Sequence, residues 1–101
     1  MFQLVLRFKP WTGSLDELLT LEDRIVQTVG GQVDVDGHDI GSSEANIFIQ
    51  CEDPEGAFSA CVPVVEGAGF LGLLSAAYRA LGGDAYTRLW PVGSEAAFEV
   101  S

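Results

Sequence analysis

Leu74-Ser75-Ala76-Ala77-Tyr78-Arg79-Ala80-Leu81-Gly82-Gly83-Asp84-Ala85-Tyr86-Thr87-Arg88-Leu89-Trp90 is the stretch that decides the fold. Taken one by one, its Leu, Ala and Arg residues favour a helix, so Phe70 to Leu81 reads as helical on intrinsic propensity. Leu81-Gly82-Gly83-Asp84 has the chemistry of a hairpin turn, and Ala85 to Trp90 reads as a returning strand. On that reading Leu74 to Ala80 is the outgoing strand. Both readings follow from these residues; the hairpin is preferred because the elements before it leave a sheet one strand short. Pro91 ends the regular structure, and Gly93 to Ser101 has few features that would fix it.

Working back from there, Phe2-Gln3-Leu4-Val5-Leu6-Arg7-Phe8 places Phe2, Leu4, Leu6 and Phe8 at period two, as a half-buried first strand requires. Lys9 to Gly13 breaks it. Ser14 with Glu17 three residues later is a capping box opening a helix, and Leu15, Leu18, Leu19, Ile25, Val26 and Val29 supply its apolar spacing up to Gly30-Gly31. Gln32 to Ile40 alternates Val33 and Val35 against Asp34 and Asp36, a short or edge strand. After the turn residues Gly41 to Glu44, Asn46 to Cys51 is the strongest β segment, so the two strands form a hairpin. Asp53 before Pro54 is a helix entry, and Pro63 should kink or shorten that helix before Gly67-Ala68-Gly69 ends it. The order strand, helix, strand, strand, helix, strand is the ferredoxin-like βαββαβ arrangement of an α+β two-layer sandwich. Two helices cover one face of an antiparallel sheet, and the last hairpin adds a strand. One such domain is expected over residues 1–92, with a tail over 93–101.

The chain has 101 residues, of which 48% are apolar, enough to build one core and to exclude a disordered chain. Its apolar runs are too short for a membrane span, and Met1 to Phe8 lacks the basic head of a signal peptide, so a cytoplasmic location is expected. Cys51 and Cys61 fit no zinc or redox spacing with the single His38 and read as buried thiols. No cofactor motif is present: the glycines at 67, 69 and 72 follow no strand and serve helix termination better than a dinucleotide loop.

Net charge is −10, and no Lys or Arg lies between Arg24 and Arg79, an interval that holds Asp34, Asp36, Asp39, Glu44, Glu52, Asp53, Glu55 and Glu66. Such a surface repels phosphate backbones and anionic lipid, which argues against nucleic acid and membranes as partners and in favour of a basic protein or a cation. Charge of this kind also serves solubility alone.

The densest polar cluster is Asp34, Asp36, His38 and Asp39 with Ser42, Ser43, Glu44 and Asn46. If Asp34, Asp36 and His38 alternate along one strand they share a face, within reach of Glu44 or Asn46 across the hairpin, and carboxylates with imidazole suit a divalent cation. The plainer reading is that these charges blunt an exposed sheet edge and that the remaining polar residues make its turn. Ser42 or Ser43 near His38 and Asp39 offers nucleophile, base and acid without an elbow or oxyanion motif, so no catalytic residues are assigned. Trp11 and Trp90 read as core packing beside the sheet rather than partner anchors.

The runs Val35 to Ser42 and Glu44 to Ile49, with Ala76 to Arg79 and Tyr86 to Pro91, resemble a group of small bacterial proteins of unassigned function, and that resemblance implies no activity. The element order is similar to that of ACT regulatory domains, in which a Pro-Gly turn after the first strand helps to form an amino-acid site between paired domains. Here the turn is Pro10-Trp11-Thr12-Gly13, with two residues between Pro and Gly and Lys9 where an acidic residue is usual. The resemblance implies a small-ligand sensor acting as a homodimer. The charge pattern instead implies a non-enzymatic interaction or regulatory domain for a basic protein, of which an immunity-type role against a basic toxin is one form.

Overall fold

A computed structural model describes residues 1–30, 33–41, 43–83 and 85–90. The elements run β1 (Phe2–Phe8), α1 (Leu15–Val29), β2 (Asp34–Ile40), β3 (Ala45–Cys51), α2 (Pro54–Gly67), a 3₁₀ turn (Leu71–Leu73), β4 (Leu74–Ala80) and β5 (Thr87–Trp90). The sheet order is β2-β3-β1-β4-β5 and every neighbouring pair is antiparallel. This is the α+β ferredoxin-like sandwich with an added edge strand. The tail over 93–101 lies outside the described residues.

Leu74 to Ala80 is a strand, paired with β1 along its whole length, from Phe2 opposite Ala80 to Phe8 opposite Leu74. Its helix-prone composition yields to position: β4 lies between β1 and β5, and Ala76 and Ala77, on opposite faces, are both fully buried. Small side chains suit a strand enclosed on both sides, and burial outweighs a propensity difference of well under about 1 kcal/mol per residue.

The face of the sheet beneath the helices carries Leu4, Leu6, Phe8, Ala45, Ile47, Ile49, Cys51, Leu74 and Ala76, which pack against Leu18, Leu21, Ile25 and Val29 of α1 and Ala57, Phe58, Cys61 and Val65 of α2. The other face has a smaller cluster, Val5 and Ala77 with Phe48 and Tyr86 beside them. Trp11 packs against Phe70 at 4.9 Å and Phe8 at 5.8 Å between ring centroids, and Trp90 lies 6.3 Å from Phe58.

The capping box forms as its spacing predicts: Glu17 N donates to Ser14 Oγ and Ser14 N to Glu17 Oε1, both at 3.1 Å. Asp53 caps α2, accepting from Gly56 N at 3.1 Å, with Pro54 in the first turn. Two expectations are corrected. Pro63 does not shorten α2, which continues to Gly67 with the proline ring on its exposed side. The helix ends in a Schellman motif, with Gly69 at φ 87°, Gly69 N donating to Glu66 O and Phe70 N to Val65 O. In α1, Leu15, Leu19 and Val26 are not core residues but are 50%, 37% and 44% exposed, while Leu21 is buried.

Candidate functional site

Cross-strand register shows where each candidate side chain points, because directly opposite residues share a face of the sheet. Asp34 lies opposite Gln50, Val35 opposite Ile49, Gly37 opposite Phe48, His38 opposite Ile47 and Asp39 opposite Asn46. The register shifts between Val35 and Gly37, so Asp36 is the extra residue of a β-bulge, and Gly37 takes φ 148°, a conformation that L side chains rarely adopt.

That bulge overturns the alternation on which a shared Asp34, Asp36 and His38 face depends. Asp34 and Asp39 fall on the face away from the helices, His38 falls on the helix side, and Asp36 stands exposed at the bulge. His38 Nδ1 contacts Glu22 Oε2 of α1 at 3.2 Å. A partly exposed pair of this kind contributes at most about 1 kcal/mol. Among the described residues no three His, Cys, Asp or Glu side chains come together in a way that could hold a metal ion.

Glu44 and Asn46 are the buried members of the cluster, 5% and 0% exposed. Asn46 Nδ2 donates to Glu44 Oε2 at 3.1 Å, which fixes the orientation of the amide and leaves Asn46 Oδ1 buried without a donor. Arg7 stands opposite Asn46 on the neighbouring strand β1. Glu44 and Asn46 therefore read as a polar inset in the sheet rather than as part of the exposed acidic edge. Ser42 lies outside the described residues.

Charge separates across the sheet. On the edge strand β2, Asp34, Asp36 and Asp39 are all exposed and no Lys or Arg is present, while Arg7, Arg79 and Arg88 belong to β1, β4 and β5. Arg79 is held by Gln3 Oε1 at 3.0 Å, by the Gly83 carbonyl at 2.8 Å and by the Tyr86 ring at 5.8 Å.

The Pro10 to Gly13 turn is packed by its own tryptophan: a Cβ on Gly13 would lie 2.8 Å from Trp11 Cζ2. None of its four residues lines the groove of about 400 Å³ between α1 and the end of α2, whose walls include Asp16, Glu17, Thr20, Arg24 and Phe70. Both cysteines are free and buried. Burial, with Cys51 nearby, pushes the Cys61 thiol up to about 12, and burial followed by Asp53 raises Cys51, so neither is a ready nucleophile. No described helix is long and apolar enough to cross a membrane. No family model, curated protein or solved structure matches the chain.

Proposed function

We propose that this domain is a non-enzymatic interaction module whose acidic edge docks a basic protein. One observation carries the reading: Asp34, Asp36 and Asp39 are all exposed on a strand at the end of the sheet, in an interval from residue 25 to 78 that contains no Lys or Arg. Opposite charge on a partner would speed encounter and fix its register. The test is capture on the immobilised chain at ~50 mM salt, compared with a variant carrying Asp34→Lys, Asp36→Lys and Asp39→Lys. A basic protein retained by the native chain, released by ~500 mM salt and ignored by the variant is the expected result. Retention indifferent to both salt and charge reversal rules the reading out.

The groove between α1 and α2 supports a second reading, a small-ligand sensor, whose site would then differ from the Pro-Gly turn of an ACT-like dimer because Pro10 to Gly13 do not line the groove. This reading requires an amino acid that raises the melting temperature at saturating concentration, and a screen without such a shift removes it.

A further inference from the structure

Six large apolar side chains are exposed among the described residues, and the fold gathers them in two places. Met1 and Leu81 meet where Leu81 N donates to the Met1 carbonyl at 3.2 Å. The other four are Leu15, Leu19, Val26 and Ile40, between 37% and 50% exposed.

Leu15, Leu19, Glu22 and Val26 follow one another at steps of four, three and four residues, which makes a single stripe along α1 beside the buried stripe of Leu18, Leu21, Ile25 and Val29. Two contacts show which way the exposed stripe faces. Glu17, Thr20 and Arg24 line the groove toward α2, so α2 lies on the opposite flank. Glu22 meets His38, so the stripe faces β2. As the crossover between the parallel strands β1 and β2, α1 runs antiparallel to β2. Leu19, one turn before Glu22, and Ile40, two residues after His38, therefore lie on the same side of the Glu22–His38 contact. The four side chains therefore lie along one side of the domain, with exposed Asp23 of α1 and exposed Asp36 at the β2 bulge as the carboxylates beside them.

Gathered apolar side chains with carboxylates beside them are the anatomy of a docking surface rather than of a solvated helix face. The geometry points to a partner that presents a cationic amphipathic helix, laid along α1 with its apolar ridge on Leu15, Leu19, Val26 and Ile40 and its Lys or Arg residues beside those carboxylates. A second copy fits poorly, because it would bring a chain of the same net charge, −10, against this side rather than the positive charge that Asp23 and Asp36 would attract. The assignment rests on the reading of the domain as a module for basic partners, and it adds the surface and the shape of the ligand.

The probe is a synthetic helical peptide of Leu and Lys, about 14 residues long, with Leu at heptad spacing. A scrambled peptide of the same composition and an oligolysine of equal charge serve as controls. The helical peptide should shift the amide resonances of Leu15, Leu19, Val26, His38 and Ile40, and Leu19→Gln with Val26→Gln should weaken it at least about tenfold while circular dichroism stays native. Equal binding of the scrambled peptide or oligolysine overturns the proposal, as do shifts centred elsewhere or a native dimer that those substitutions dissociate. If the glutamine substitutions change nothing but lysines at 34, 36 and 39 abolish binding, the patch is wrong and the acidic-edge reading survives. If neither set matters, both fall.

Discussion

Among single residues, Cys61 gives a pH signature. Its thiol is fully buried, and its ionisation is pushed up to about 12 in the folded chain, chiefly by burial. Once unfolded it ionises near its ordinary value, about 8.5. Below that value both states keep the proton and the thiol adds no pH dependence. Between there and about 12 the native state holds more protons, so stability falls as pH rises, by up to about 1.4 kcal/mol per unit. Urea unfolding of the native chain and of Cys61→Val at pH values from ~7 to ~11 should give a steeper alkaline decline for the native chain, and parallel curves would refute the assignment. Burial of this cysteine was legible from its place in an apolar helix pattern. The geometry of the polar cluster was not, because a strand alternates with period two and one extra residue at Asp36 moves every later side chain to the other face. No residue type announces such a bulge, although Gly37 at φ 148° marks where it falls.

At the level of elements, α2 carries a removable defect. Pro63 has no N–H, so the Ser59 carbonyl loses its usual intrahelical donor, and the proline ring faces solvent and adds little packing. Pro63→Ala should stabilise the domain by about 2 kcal/mol, from a helix-interior difference of about 3 offset by up to about 1 for the stiffer unfolded chain. In a domain of this size that is a rise of roughly 10 °C in melting temperature. A lower melting temperature would show that the proline is needed where it is. The helix ends were legible because caps are local chemistry: Ser14 with Glu17, and Asp53 with Pro54, act over three residues. Which of the leucines of α1 turn inward was not, since Leu15 and Leu19 fit a helical period as well as Leu21 does, and only the position of the sheet separates them. β4 lay between these cases. Its composition favoured a helix, and the glycine turn that follows it carried the correct reading.

At the scale of the whole molecule, the excess of acid sets the balance between the free and bound states. Even if each of the five Lys and Arg residues paired with a different carboxylate, ten of the fifteen would remain without a basic partner. Repulsion among them is greater in the compact state than in the expanded chain, so folding works against it. Salt shortens its range from about 30 Å at 0.01 M to about 10 Å at 0.1 M, which spans the domain at the lower concentration and only neighbouring elements at the higher. The melting temperature of the free domain should therefore rise by several degrees over that range. Asp34→Asn, Asp36→Asn and Asp39→Asn together should raise the low-salt value and flatten the response. A melting temperature that falls with sodium chloride would mean that attractive pairs outweigh the repulsion. A cationic partner relieves the same repulsion by supplying the missing charge, so salt should act with opposite sign on the two states, stabilising the free domain while weakening its complex. Measured on one preparation, those opposed slopes would separate an acidic surface kept for docking from one kept for solubility, because in the second case only the stability slope exists.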